Sequence, residues 1–355
     1  MSYRIPDVRR APIRNVLEAL KGASSVVLTT HMNADGDGVG CQAALQALLG
    51  QWGIEAWIVN PTTIPRNLRF LIRDASTVLD AGSEAANRRC QAADLCVVVD
   101  TGEVPRIGRV NPLVAGVPKV VIDHHPPGER PIEGIELRDQ GAGAAGELVF
   151  DLVFAAEGEW SRAMVEGLYV ALMTDTGSFR FSNSSPTIHR VAAELIERGV
   201  DPDVLHRQVY GAFPLRRFRL LQSALETLSV SDGGRVGWMS VPTEAYRELG
   251  CRPDDLEGMV DFPREVEGVE VAILFRELDD GSVKLSFRSN GAVDVNRLAR
   301  EFGGGGHARA SGAVIGERME ELLPRVVERT VELAGAESSD DRSPGPPGTG
   351  TPARA

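Results

Sequence analysis

Eight residues in four short segments carry the chemistry of this sequence. They are His31, Asp35 and Asp37 in HMNADGDGVG, Asp100 at the end of LCVVVD, Asp123, His124 and His125 in IDHH, and Asp175 in MTDTG. Carboxylates gathered in one crevice repel one another and raise each other's pKa unless a cation neutralises them. Imidazole plus carboxylate with no thiolate suits Mn²⁺ first, with Co²⁺, Fe²⁺, Zn²⁺ or Mg²⁺ as substitutes. Six side chains, those of His31, Asp35, Asp37, Asp100, His124 and Asp175, suffice for two ions if Asp100 bridges them, and open positions then remain. Two ions ~3.5–4 Å apart would activate a water and polarise a phosphoryl oxygen for in-line attack. Phosphate-ester hydrolysis is therefore the expected reaction.

Each residue also has a plainer reading. Asp35 and Asp37 precede a helical pattern and are good caps, Asp100 and Asp175 suit turns, and an isolated histidine is usually structural. The elements that must position them argue for the joint reading. SSVVLTTH ends at His31, LCVVVD at Asp100 and KVVIDHH at His125, and these β-branched runs read as buried parallel strands. Helical patterns lie between them at Val39–Trp52 and Ser83–Asp94, and a further strand is expected at IEAWIVN. The fold class is thus α/β, a doubly wound and mainly parallel sheet. In such sheets ligands sit outside the carboxyl ends of the strands. Of the six histidines in the chain, three fall at two of those ends beside aspartates.

Beyond the amphipathic helices AGELVFDLVFAA, RAMVEGLYVALM and TIHRVAAELIERG the texture changes. Residues 201–229 read as a helical connector, within which Arg216, Arg217 and Arg219 read as a solvated face. Strands at RVGWMSVP, VEVAILFRE and SVKLSFRS follow, the last two joined by a turn at Asp279-Asp280-Gly281, with helices at DVNRLAREF and MEELLPRVVERTVELA. The expected organisation is a catalytic domain over 13–200, the connector, a smaller mixed α/β domain over 230–336, and a disordered Pro/Gly/Ser tail over 337–355.

Composition narrows the function. A net charge of −12 disfavours tracking along nucleic acid, and above all long duplexes, which needs many Lys and Arg on phosphates, whereas short anionic substrates remain compatible. No apolar run reaches the length of a membrane span, and the charged N-terminus lacks a secretory pattern. The four cysteines have no CxxC spacing. A cytoplasmic protein without a membrane partner is expected, and homodimerisation is compatible with the sequence.

The segments HMNADGDGVG, VVVD, IDHH and MTDTGSFRF resemble, in order, the four motifs of the DHH phosphoesterase superfamily. SFRSN and FGGGGHARASG resemble the glycine-rich segment of the DHH-associated C-terminal domain, a pairing similar to the nanoRNase and pAp-phosphatase subfamily. The resemblance implies that His31, Asp35 and Asp100 hold one Mn²⁺ and that Asp37, Asp100, His124 and Asp175 hold the other. It also implies that His125 faces the scissile phosphate and that Asp123 orients a histidine. Asp100, His124 and His125 are then the residues expected at the reaction itself. Ala34 and Cys41 replace the proline and serine frequent in the family, at positions not expected to touch metal.

In the second domain, Gly303 to Gly306 can point backbone N–H groups at an anion. Gly304, Gly305, Gly306, His307, Arg309, Ser311 and Arg288 are therefore expected to bind a phosphate or nucleotide end. The expected activity is hydrolysis of short oligoribonucleotides to 5′-mononucleotides, or removal of the 3′-phosphate of 3′-phosphoadenosine 5′-phosphate. Alternatives are a linear or cyclic di-adenylate phosphodiesterase, a RecJ-like single-strand exonuclease, and a catalytically silent nucleotide-binding protein.

Overall fold

The structure is a computed structural model and describes residues 3–211, 213–256, 258–291 and 293–340. Two compact units divide the chain, residues 1–212 and 213–355.

In the first unit the strands are β1 (Ser25–Thr29), β2 (Glu55–Asn60), β3 (Val78–Asp80), β4 (Leu95–Val99), β5 (Lys119–Asp123) and β6 (Ile135–Arg138). All neighbours pair in parallel in the order β3-β2-β1-β4-β5-β6, as expected for a doubly wound sheet. The order reverses between β1 and β4, which is the switch point where such sheets open a crevice. Side chains alternate between the two faces. Val26, Leu28, Val97 and Val99 join the core on one face, and Val27, Cys96 and Val98 the core on the other. That burial on both sides is why these strands read as unbroken apolar runs.

The helices are α1 (Asp7–Lys21), α2 (Gly36–Gln51), α3 (Glu84–Ala92), α4 (Ala145–Ala155), α5 (Arg162–Asp175), α6 (Pro186–Glu197) and α7 (Pro202–Tyr210). Buried residues run through α2 from Gly36 to Leu49, as suits a helix without a polar face. Its glycines set how closely it packs. A Cβ at Gly36 would collide with Thr174, at Gly38 with Thr30, and at Gly40 with the carbonyl oxygen of Gly167. These contacts draw α2 onto β1 and α5 and bring Asp35 and Asp37 to the sheet crest.

The second unit holds β7 (Ser229–Val230), β8 (Val236–Val241), β9 (Val271–Glu277), β10 (Val283–Ser289), β11 (Gly305–His307) and β12 (Ala310–Ile315), ordered β11-β12-β10-β9-β8-β7. Among the described residues only the β8–β9 pair is parallel. The expected β9–β10 hairpin is present, with Gly281 at φ +80°. Its helices are α8 (Leu215–Leu225), α9 (Thr243–Glu248), α10 (Asp261–Arg264), α11 (Val295–Glu301) and α12 (Met319–Asp340). α11 and α12 cover one face of the sheet, with Leu298 and Leu322 against Phe275 and Phe287, and α8 packs Leu220 and Ala224 with Met239 and Leu274 on the other.

Several expectations are corrected. α1, Asp7–Lys21, was not anticipated, because one of its buried positions is Arg9, which breaks the apolar stripe of Ile13, Val16 and Leu20. Gly305–His307, anticipated as backbone free to meet an anion, is an edge strand paired with β12. Arg217 is buried rather than part of a solvated face, its guanidinium donating to the Asp255 carbonyl at 2.8 Å. α12 continues four residues into the anticipated tail, and residues 341–355 lie outside the described residues.

Candidate metal centre

β1 and β4 end side by side at the switch point, and the site is built outward from there. His31 follows β1, Asp100 follows β4, and His31 Nε2 lies 3.0 Å from Asp100 Oδ2. Asp100 has a left-handed backbone, φ +60°, which a non-glycine residue adopts at a cost. The strand pairing continues past that strain, since Asp100 N donates to Ile122 O at 2.9 Å. The other carboxylate oxygen, Oδ1, lies 3.6 Å from His124 Nε2 and 3.8 Å from His125 Nδ1. One carboxylate thus faces His31 with one oxygen and the DHH triplet with the other.

Asp35 caps α2, its Oδ1 accepting from the N–H groups of Asp37 and Gly38, while its Oδ2 is 3.8 Å from His31 Nε2. Asp37 caps a different helix. Its carboxylate accepts Ala145 N at 2.7 Å and Gly146 N at 2.8 Å, the first turn of α4, whose own N-cap Ala144 has no side-chain acceptor. Its Oδ2 also lies 3.9 Å from His124 Nε2. The capping reading and the clustering reading are therefore both satisfied by the same carboxylates. Asp175, the last residue of α5, brings Oδ2 to 3.7 Å from His124 Nε2.

Three sets of donor atoms lie within 4.8 Å of one another: His31, Asp35 and Asp100; Asp37, His124 and Asp175; and Asp100, His124 and His125. Asp123 Oδ1 accepts from His125 N at 3.1 Å and lies 2.8 Å from His125 Nδ1, and its Oδ2 accepts from Arg138 NH1 at 2.8 Å. It orients His125.

The electrostatics are those of an overfilled anionic site. Burial raises Asp37 well above the carboxylate range, reinforced by Asp100 and Asp175. Burial with the charges of Asp100 and Asp35 pushes Asp175 up to about 7, against the pull of His124. Burial opposes charge on His31, but hydrogen bonds to Asp100 and Asp35 outweigh it and lift the ring to about 10. His124 is raised to about 10 in the same way, by Asp100, Asp37 and Asp175 against its burial.

The donor set fits divalent cations. Asp100 Oδ1 and His124 Nε2 are buried without a hydrogen-bond partner among the described residues, and both face the cluster. Buried polar atoms are nearly always satisfied, so such a pair marks a place for a ligand. Imidazoles and carboxylates without a thiolate are the donors that Mn²⁺ and its neighbours accept.

Residues 25–173 match the model of the DHH family, N-terminal domain, and residues 240–333 match the DHHA1 domain. The chain is 33% identical over 327 residues to the bifunctional oligoribonuclease and PAP phosphatase NrnA of Thermus thermophilus, covering 90% of this chain and 93% of that protein. The chain belongs to the DHH phosphoesterase family. A second relative of this family, the bifunctional oligoribonuclease and PAP phosphatase NrnA of Bacillus subtilis, is 29% identical over 294 residues, 82% of this chain and 89% of its own length. Among solved structures, an exopolyphosphatase-related protein from Bacteroides fragilis matches with a TM-score of 0.86 at 28% identity, covering 92% of this DHH chain and 98% of its own. As a member of the family the chain is a hydrolase whose chemistry depends on metal. None of its described helices is long and apolar enough to cross a membrane.

The residues singled out in the second unit are placed less uniformly. Gly305, Gly306 and His307 pair with Gly312, Ser311 and Ala310. A Cβ at Gly304 would collide with the Gly312 carbonyl and at Gly306 with Ala310 O, so close backbone approach accounts for these two glycines. Arg309 is exposed on the turn between β11 and β12, and half-buried Arg288 donates to Phe287 O at 3.0 Å. Ser311 Oγ donates to Val295 O at 2.6 Å and is buried, so its proton is already committed. The side chain of His307 lies outside the described residues.

Two residues of the first unit escaped the sequence reading. Arg138, at the end of β6, holds Asp123 and also donates to His125 O at 3.0 Å. Asn183 places Nδ2 3.2 Å from Asp175 Oδ2. Arg138 sits on a four-residue strand and Asn183 in a turn, where neither periodicity nor spacing marks them.

Proposed function

We propose that the chain hydrolyses short single-stranded oligoribonucleotides to 5′-mononucleotides and removes the 3′-phosphate of 3′-phosphoadenosine 5′-phosphate, with two divalent cations, Mn²⁺ first among them. The observation that carries this reading is the carboxylate of Asp100, shared between the His31–Asp35 and the Asp37–His124–Asp175 donors. Relatives named as oligoribonuclease and PAP phosphatase over nine-tenths of the chain support the substrate class.

In this reading His31, Asp35 and Asp100 hold one ion, and Asp37, Asp100, His124 and Asp175 the other. Two such ions supply Lewis acidity at the phosphoryl group and acidify a water. The protein's own groups do the rest. Asp123 engages His125 Nδ1 and Arg138 fixes Asp123, so the ring is held in one orientation, with Nε2 the nitrogen that meets a phosphoryl oxygen. The N–H groups of Ala145 and Gly146 hold Asp37 in place without proton exchange. Binding of the nucleotide end is assigned to the second unit, through Arg288, the backbone of Gly304 to Gly306, His307 and Arg309, with Ser311 as an acceptor.

The test is a substrate panel with product identification in Mn²⁺: a dinucleotide, longer single strands, the bisphosphate, linear and cyclic di-adenylate, and polyphosphate. Release of mononucleotides from the dinucleotide and of phosphate from the bisphosphate is expected. Turnover confined to cyclic dinucleotide or to polyphosphate would replace this reading.

A further inference from the structure

The loop between β6 and α4, with the first turn of α4, reaches three of the clustered side chains by three different routes. The carbonyl of Ala142 lies 3.3 Å from His124 Nδ1. The carbonyl of Gly143 accepts from Asn183 Nδ2 at 2.8 Å, the nitrogen that also lies 3.2 Å from Asp175 Oδ2. Ala145 N and Gly146 N donate to Asp37. His124, Asp175 and Asp37 are one of the three donor sets. The hydrogen bonds of the His31 and Asp35 side chains go elsewhere, to Met32 O and Asp100 and to the first turn of α2.

The loop is anchored from behind. Arg9, only 4% exposed, donates to Asp139 at 2.6 Å, to Glu147 at 2.7 Å and to Asp151 at 2.9 Å. Glu147 in turn accepts Gly143 N at 3.0 Å, and the Tyr3 hydroxyl bonds Asp151. The sequence Gly-Ala-Gly-Ala-Ala-Gly from 141 to 146 permits the close fit. A Cβ at Gly143 would overlap the Asn183 carbonyl and Ile188, and one at Gly146 would overlap Ala171.

We propose that residues 139–146 form an orienting platform for one of the two cation sites, the one built on Asp37, His124 and Asp175, and that Asn183 and Arg9 are its positioning residues. The proposal rests on the two-cation reading. A carbonyl on His124 Nδ1 selects the tautomer that presents Nε2 to a cation, and the Asn183 amide fixes one rotamer of Asp175, the outer contacts through which proteins set metal affinity. Arg9 acts at one remove, by holding Asp139 at one end of the platform and Glu147, the residue just past the other, to α1. The other site has no such support from this loop, so the two sites separate under mutation.

Calorimetric titration of Mn²⁺ into the metal-free full-length chain tests this. The wild type is expected to show two binding events, and His31→Ala identifies which belongs to the His31 side. In Asn183→Ala the other event weakens by about 10–100-fold, while the His31-side event stays within about twofold. Arg9→Lys keeps a charge among the buried carboxylates but cannot fork to three of them, and it weakens the same event. A general structural defect would instead lower both affinities and the melting temperature together. Equal weakening of both events in Asn183→Ala, or no change in either, overturns the platform. Uptake of one ion or none by the wild type overturns the two-cation reading itself, and the platform with it, before any variant is compared.

Discussion

His31 Nε2 and Asp100 Oδ2 stand 3.0 Å apart although 69 positions separate them in the chain. They end adjacent parallel strands on either side of the point where the strand order reverses. The opposite oxygen of the same carboxylate faces His124. Asp100 is thus the residue through which the two halves of the cluster meet, and its left-handed backbone is the strain that this position demands.

Asp100→Ala is expected to abolish turnover, by on the order of 10³-fold or more, and to reduce Mn²⁺ uptake below two ions per chain. Steady-state assay with metal analysis, alongside circular dichroism to verify folding, checks this. Near-normal activity in a folded variant excludes the shared role.

Cation binding should release protons. His31 and His124, each raised to about 10, hold protons at neutral pH in the protein alone, and Asp175, raised to about 7, is about half protonated there. Ligation needs neutral imidazole and ionised carboxylate, so those protons must leave. Apparent Mn²⁺ affinity therefore rises with pH up to about pH 10, most steeply below about pH 7, where Asp175 is protonated as well. Calorimetry in two buffers of different ionisation enthalpy counts the protons, and a pH-independent affinity with none released would contradict the raised values.

Arg138→Met separates orientation from metal binding. Asp123 loses one partner, at 2.8 Å, and His125 loses a backbone anchor, while the two sets His31, Asp35, Asp100 and Asp37, His124, Asp175 are untouched. A fall in kcat of about 10–100-fold with unchanged metal content is expected. Loss of metal instead would place Arg138 in the support of the cluster.

Gly40→Ala tests the packing that delivers α2 to the site. The new methyl meets the Gly167 carbonyl, a backbone atom that cannot turn aside. Overpacking of this kind costs about 1–3 kcal/mol, read as a lower urea midpoint, and displacement of Asp35 and Asp37 should lower activity as well. Wild-type stability would mean that α2 and α5 are less tightly apposed than described.

Arg288→Ala addresses the second unit. If the half-buried guanidinium holds a nucleotide phosphate, kcat/KM for the bisphosphate falls by about 10–100-fold, mainly through KM. An unchanged KM removes Arg288 from substrate binding.

The central sheet was legible because strands buried on both faces spell themselves as β-branched runs, and because three of those runs stop at an ionisable residue. β3 and β6 were not, since three or four residues carry too little pattern. α1 hid behind Arg9, a charge at a buried position that finds carboxylates 130 to 142 residues away. Asp37 was legible as a cap, but that it caps α4 rather than its own helix depends on a contact 108 residues distant. The glycines from 303 to 306 read as backbone open to an anion, whereas at Gly304 and Gly306 a neighbouring strand leaves no room for a side chain.

Asp175 sits at the far end of α5, so the last member of the cluster is made long after His31. During synthesis on the ribosome, a chain that has emerged only through His125 carries five of the six clustered donors but neither α5 to complete the set nor α4 to hold Asp37. A cation meeting that fragment would find carboxylates without their geometry. Assembly of the centre is therefore an event of the whole first unit, and metal capture can serve as a report that this unit has finished folding.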